Sequence, residues 1–290
     1  VPATLFPAYL QLVLDQFITP FPFEPYHKAV RTPQDLYQFG LDFVSPVMDL
    51  AASRLEGRES LASLVEQLSK GDNVILLANH QTEPDPQIIS LLLAPLYPSL
   101  AENMIFVAGN RVVEDPLAIP FSMGRNLVCI HSKKHINNPP EKKEKKLLHN
   151  KRTMKIVGQL LAEGSKCIYV APSGGRDRLG KNGRVELSPF DGSSIELFYL
   201  LAENAGKPTH FYPLTLATYD LFPPPKTVEK ELGEKRLVHY APAHIKFGKE
   251  IDMENFPGSA QEDKKEKRKA RADFIFQLVH KDYQSLTEVT

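Results

Sequence analysis

The chain predicts an α/β fold: a mixed, largely parallel central sheet flanked by helices, with a short N-terminal helical leader. Two observations carry that expectation. From Asn73 onward, short apolar runs at 74–78, 104–108, 126–130, 167–171, 209–217 and 243–247 alternate with helical stretches around 86–95, 141–163 and 193–205. Such alternation packs as a sheet with helices laid over it. The second observation is quantity: 42% of the 290 residues are hydrophobic, enough to core one large domain or two modest ones.

Taken in order, residues 4–18 carry apolar side chains at helical spacing, and the Pro20-Phe21-Pro22-Phe23-Glu24-Pro25 stretch must end that helix. Residues 1–25 are therefore read as a leader and 26–290 as one domain. Thr32-Pro33-Gln34-Asp35 reads as the opening of a long helix, with a capping threonine, a first-turn proline and an acidic third position. Ser60 to Lys70 reads as another, closed by Gly71. The alternating strands and helices come next, and a last helix is expected from near Ser259 into the tail. There is no internal repeat.

Lys+Arg and Asp+Glu number 35 each, so a net charge of zero argues against nucleic acid as a partner. Cys129 and Cys167 each sit inside an apolar run without Cys-x-x-Cys spacing, as reduced core thiols do. The longest nearly apolar stretch, Ile88 to Tyr97, is too short to span a bilayer, and no basic region followed by an apolar core opens the chain. The expectation is a soluble intracellular protein with no stable membrane insertion. Because numbering begins at Val1 and not at a methionine, a targeting segment removed beforehand stays open.

The apolar run Val74-Ile75-Leu76-Leu77-Ala78 leads into Asn79-His80-Gln81-Thr82-Glu83-Pro84-Asp85. A histidine thus leaves a strand end with a carboxylate five positions later. Imidazole titrates near neutral pH, and a carboxylate on its far nitrogen fixes the tautomer and stabilises the imidazolium, which suits His80 as a general base and Asp85 as its orienter. Asp85 before Pro86 is also what a helix start looks like, with Asp as cap.

After Ile168-Tyr169-Val170-Ala171 comes the glycine-rich turn Pro172-Ser173-Gly174-Gly175, then Arg176-Asp177-Arg178. Arginines two apart on extended backbone point the same way, and their planar forks suit a phosphate; a solvated basic loop gives the same pattern. Gly175-x4-Gly180-Lys181 resembles a P-loop, but Asn182 stands where Ser or Thr would hold magnesium and no helix pattern succeeds it. A third cluster, Ser132-Lys133-Lys134-His135, comes after the run at 126–130. In α/β folds ligands sit at the carboxyl ends of the strands, so convergence of these three ends would describe a site for a small phosphate-bearing alcohol. The runs 141–146 with Lys151 and Arg152, and 264–271, read as solvated helix faces or as surfaces for an acidic partner. No second His or Cys accompanies His80 and Glu83, so neither a metal nor another cofactor is expected.

Four ordered blocks carry a resemblance: His80-x4-Asp85; Gly124-Arg125-Asn126 leading to Lys133-Lys134-His135; Ala171 to Arg178; and Phe211-Tyr212-Pro213-Leu214. Together they resemble the motifs of the glycerolipid acyltransferases, and most of all the soluble, plastid-type glycerol-3-phosphate acyltransferases, over about His27 to Gly248. The resemblance implies an acyltransferase domain that moves a fatty acyl group from an acyl-carrier-protein thioester, or acyl-CoA, to the first hydroxyl of glycerol 3-phosphate. The product would be lysophosphatidic acid, made in a bacterial cytoplasm or plastid stroma as the first step of phospholipid synthesis. It also implies His80 as base, Asp85 as orienter, and Lys134, His135, Arg176 and Arg178 as the phosphate site, with Arg125 in reserve and no covalent intermediate. Backbone N–H groups at the helix start after Asp85 are the expected oxyanion donors. Ser173, where membrane-bound branches have Glu, fits the soluble branch. The helical bundle of plastid relatives has room here only in residues 4–18. The alternatives are acylation of dihydroxyacetone phosphate or of an acylglycerol phosphate, a non-enzymic module binding an acyl carrier protein or a phosphorylated ligand, and a nucleotide-dependent enzyme using Gly175 to Lys181.

Overall fold

The structure is a computed structural model that describes residues 4–132, 136–225 and 235–288. In chain order its elements are α1 (Leu5–Ile18), β1 (Tyr26–His27), α2 (Leu36–Val44), β2 (Arg54–Glu56), α3 (Arg58–Ser69), β3 (Asn73–Ala78), α4 (Asp85–Leu93), α5 (Pro98–Asn103), β4 (Ile105–Gly109), α6 (Arg111–Glu114), α7 (Ile119–Met123) and β5 (Asn126–Ile130). They continue with α8 (Lys143–Glu163), β6 (Cys167–Val170), the short β7 (Arg178–Leu179) and β8 (Val185–Glu186), α9 (Gly192–Glu203), β9 (Thr209–Ala217), β10 (His244–Phe247) and α10 (Lys264–Thr287).

Eight strands form one sheet in the order β1-β5-β4-β6-β3-β9-β10-β2. β5, β4, β6, β3 and β9 run parallel, while β1 pairs antiparallel with β5 and β10 antiparallel with β9. This is the mixed, largely parallel sheet that the apolar runs predict. Its central strand β3 is buried at every position because helices cover both faces, which is why Val74 to Ala78 reads as a continuous apolar run. Side chains nevertheless alternate. Val74, Leu76 and Ala78 pack with Leu61, Leu64, Ile89 and Leu93 of α3 and α4, while Ile75 and Leu77 pack with Val157, Leu161, Ile195, Phe198, Ile275 and Val279 of α8, α9 and α10.

Helix starts correct the sequence reading. α2 begins at Leu36, three residues later than Thr32-Pro33 suggests, because Asp35 is the cap and its side chain accepts from the Gln38 N–H at 3.0 Å. It is also short, giving way to a single 3-10 turn over Ser45–Val47 at Pro46. α10 begins at Lys264, not near Ser259, since Asp263 accepts from the N–H groups of Lys265 and Glu266 and Gly258 sits at φ +91°. α3 starts two residues before Ser60, and Gly71 comes after it at φ +96°. α1 lays Tyr9 against Phe43 and Phe121, with the Tyr9 hydroxyl donating to the Leu117 carbonyl at 3.0 Å. α1 also exposes Phe6, Leu10, Leu14, Phe17 and Ile18.

Parallel strands put all their carboxyl ends on one edge of the sheet. The segments 79–84, 110–118, 131–132, 171–178 and 218–225 therefore leave from a common edge. Among the described residues no helix is long and apolar enough to cross a membrane.

Candidate active site

At that edge His80 and Asp85 meet. His80 Nδ1 lies 2.8 Å from Asp85 Oδ2, the Asp85 side chain is buried and that of His80 is 29% exposed. Asp85 receives more than the imidazole: the N–H groups of Gln81 and Thr82 donate to Oδ2 at 2.9 and 3.2 Å, and the hydroxyls of Thr82 and Thr218 donate to Oδ1, each at 2.7 Å. Burial raises the pKa of such a carboxyl, but the hydrogen bond and charge of His80 and the two hydroxyls outweigh it, and Asp85 titrates below its ordinary range. An ionised carboxylate only accepts, so His80 Nδ1 carries the proton and Nε2 keeps the lone pair that a base uses.

Asp85 does not act as the predicted cap. It is the first residue of α4 and its carboxylate closes the turn behind it, while no side chain caps the helix itself. Both properties come from one local geometry, a tight turn from His80 back onto the helix start. Of the backbone positions foreseen after Asp85 as oxyanion donors, Pro86 has no N–H and the Ile88 N–H donates to the Pro84 carbonyl at 3.0 Å.

The loop after β6 is tied to this turn. The Asp177 N–H donates to the His80 carbonyl at 2.7 Å, and its buried carboxylate accepts from Asn79 Nδ2 at 2.9 Å, Gln81 Nε2 at 3.3 Å and the Ser188 N–H at 2.8 Å. Burial pushes the Asp177 carboxyl up to about 6, against the pull of those donors and of His80. With Asp177 turned inward, its neighbours turn outward as alternation requires. Arg176 Nη1 lies 3.8 Å from Glu83 Oε1, and Arg176 lines one small cavity with Glu83, Phe222, Pro225 and Arg236; Arg178 Nη1 donates to the carbonyl of the lining residue Pro225. His80, Asp85, Arg176 and Arg178 are thus brought to one edge. Lys134 and His135 lie outside the described residues; the strand before them ends at Ile130 on that same edge.

Arg125 goes elsewhere. It precedes β5 and so belongs to the opposite edge, buried over the Tyr37 ring at 4.7 Å with Nη1 donating to Ser90 Oγ at 2.6 Å. Burial brings its pKa down to about 10. The Phe211 to Leu214 block forms the middle of β9, with Pro213 opposite Leu77 of β3. The P-loop reading fails structurally, because after Gly175 the chain forms the antiparallel pair of β7 and β8, and no helix N-terminus is there to face a phosphate. Among the described residues no group of His, Cys, Asp and Glu is arranged to hold a metal. Burial pushes the thiols of Cys129 and Cys167 up to about 12, as inert core residues.

Sequence reading missed several members of this site. Thr218 holds Asp85, Asn79 joins β3 to Leu216 of β9, and Gln81 Oε1 accepts from the N–H groups of Thr218 and Tyr219 at 2.7 and 3.0 Å. Arg236 is the largest omission: its Nε and Nη2 lie 2.6 and 3.2 Å from the two Glu83 oxygens, and Nη2 lies 2.9 Å from Asp115 Oδ2. The one local signal was the placement of Asn79 and Gln81 on either side of His80.

The sequence matches the acyltransferase family over residues 56–217. It is 44% identical over 249 residues to the chloroplastic glycerol-3-phosphate acyltransferase of Pisum sativum, covering 86% of this chain and 54% of that one. It is 41% identical over 268 residues to that of Arabidopsis thaliana, covering 92% of this chain and 58% of that one. The chain thus spans a little over half the length of the curated relatives it matches. Among solved structures, the 1-acyl-sn-glycerophosphate acyltransferase of Thermotoga maritima aligns at a TM-score of 0.45 and 16% identity over 97% of this chain and 90% of that chain.

Proposed function

This chain belongs to the acyltransferase family, and from that premise we propose that it transfers a fatty acyl group from a thioester to the sn-1 hydroxyl of glycerol 3-phosphate, giving lysophosphatidic acid, in a plastid; its relatives are named chloroplastic glycerol-3-phosphate acyltransferases. The observation that carries the reading is the His80–Asp85 contact at 2.8 Å, closing a turn whose Glu83 and Pro84 line a small cavity together with Arg176. His80 Nε2 takes the proton of the acceptor hydroxyl as its oxygen attacks the thioester carbonyl. The tetrahedral intermediate then expels the sulfur, and the imidazolium returns the proton to the leaving thiolate. Asp85 holds the tautomer and offsets the charge on the ring. Arg176 and Arg178, with Lys134 and His135, grip the phosphate and so present one hydroxyl to the base.

We assign the donor as acyl-carrier-protein thioester in preference to acyl-CoA. Lys145, Lys151, Arg152 and Lys155 lie exposed along α8, on a chain with no net charge, and such a stripe favours an acidic protein. The test is thiol release from an acyl thioester, dependent on glycerol 3-phosphate, by purified wild type and His80→Ala. The expected loss is about 10²- to 10⁴-fold with the circular dichroism spectrum unchanged. Turnover that survives His80→Ala would remove the base from the mechanism. Release without an acceptor, or binding without turnover, would remove the activity.

A further inference from the structure

We propose that Arg236 is a positioning residue for phosphate recognition: it holds the Glu83 carboxylate in a two-point contact and so keeps that carboxylate from taking Arg176 as its counter-ion when the substrate phosphate arrives. The inference rests on the phosphate-bearing acceptor proposed for the His80 site. Glu83 lies in the turn between His80 and Asp85, and its carboxylate stands between two guanidiniums. Arg236 holds it in a two-point contact at 2.6 and 3.2 Å, whereas Arg176 Nη1 stays at 3.8 Å. The same Arg236 reaches Asp115 at 2.9 Å, a buried carboxylate on the segment after β4. One side chain thus ties the turn after β3 to the segment after β4.

The competition for Arg176 turns on Arg236. While Arg236 holds both Glu83 oxygens, Glu83 reaches Arg176 only at 3.8 Å; Arg236→Gln removes that hold. Glu83 would then draw Arg176 in as its own counter-ion, and the incoming phosphate would compete with a carboxylate already in place. Charges a few ångströms apart in a partly buried site are only weakly screened, so a carboxylate and a phosphate compete directly for one shared arginine. A bidentate guanidinium–carboxylate pair also keeps Glu83 from rotating toward the phosphate. Arg236 would therefore act on acceptor affinity, through Glu83, and not on the proton transfer at His80.

The test compares wild type, Arg236→Gln, Arg236→Lys, Glu83→Gln and the double variant Glu83→Gln/Arg236→Gln, with glycerol 3-phosphate varied at saturating thioester. Arg236→Gln should raise KM for glycerol 3-phosphate about tenfold or more, leave kcat within about threefold and leave KM for the thioester unchanged. Arg236→Lys should recover part of the affinity. The double variant should return to within about threefold of wild type, because the carboxylate within reach of Arg176 is gone. Calorimetric binding of inorganic phosphate should show the same order across all five proteins. An unchanged KM in Arg236→Gln, or a fall in kcat that Glu83→Gln does not relieve, overturns the proposal. If wild type fails to turn over glycerol 3-phosphate, the acyltransfer reading fails by itself, and the phosphate titrations still decide the role of Arg236.

Discussion

Asp85 and Asp177 are two buried carboxylates whose residues hydrogen-bond to His80, and their surroundings drive their pKa values apart. Asp85 has a cation-forming partner and two hydroxyls and is held low; Asp177 has neutral amide donors and burial lifts it to about 6. The consequence for stability has a definite sign. Between the ordinary carboxylate pKa and about 6, folded Asp177 keeps a proton that the unfolded chain has lost. The native state then binds more protons, and stability falls as pH rises through that window. Asp177→Asn removes the effect. Urea unfolding at pH 4.5 and pH 7.5 should show wild type losing on the order of 2 kcal/mol more than the variant between the two pH values. Equal losses would show that Asp177 titrates at its ordinary value in the folded chain. The His80–Asp85 pair was legible in the sequence because both ends lie in one short segment. Thr218 and Arg236 were not, because only the pairing of β3 with β9 and the return of the chain after residue 234 bring them near.

Elements repeat the lesson with a different cause. Long strands in the middle of the sheet were legible to within a residue or two, since burial on both faces forces unbroken apolar runs such as Val74 to Ala78. β1, β2, β7 and β8 escaped, because two or three residues have no period to read and their pairing comes from neighbours distant in sequence, such as Tyr26 against Val128. Helix starts slipped where two caps compete, as Thr32 and Asp35 do ahead of α2. The α3 start shows how tightly these junctions are built. Gly57, at φ +73°, opens α3 beneath β10, and a Cβ there would lie 1.9 Å from the Phe247 carbonyl oxygen. Backbone cannot yield as a flexible side chain can, and the left-handed conformation adds its own cost. Gly57→Ala is expected to destabilise by about 2–5 kcal/mol, read as a lower urea midpoint with an unchanged slope. A midpoint equal to wild type would show that β10 can move away from α3.

At the scale of the whole molecule, zero net charge conceals a directional arrangement. α8 leaves the carboxyl end of β5 and returns to the start of β6, so its amino-terminal half stands at the edge of the sheet that holds His80. Asn150 anchors it there, exchanging hydrogen bonds with the His131 backbone at 2.8 and 2.9 Å. Thr153, Val157, Leu160 and Leu161 face the sheet; Lys145, Leu148, Lys151, Arg152 and Lys155 face outward, with Leu148 49% exposed among the cations. Cations around an apolar centre suit the surface of an acidic helical protein, where charge speeds encounter and a leucine contact holds it. If the donor arrives on a carrier protein, reversing Lys151 and Arg152 to Glu should raise KM for the acyl-carrier-protein thioester about tenfold at low salt. KM for acyl-CoA should change by less than about twofold, since its reactive end is carried by a small molecule that need not cover α8. The wild-type advantage should shrink as salt rises past 0.1 M, where the screening length is about 10 Å. Equal effects on both donors would place the cations in general electrostatics, and no effect on either would leave α8 a solvated face. Only a loss confined to the protein-borne donor, and relieved by salt, assigns α8 as the surface on which the carrier docks.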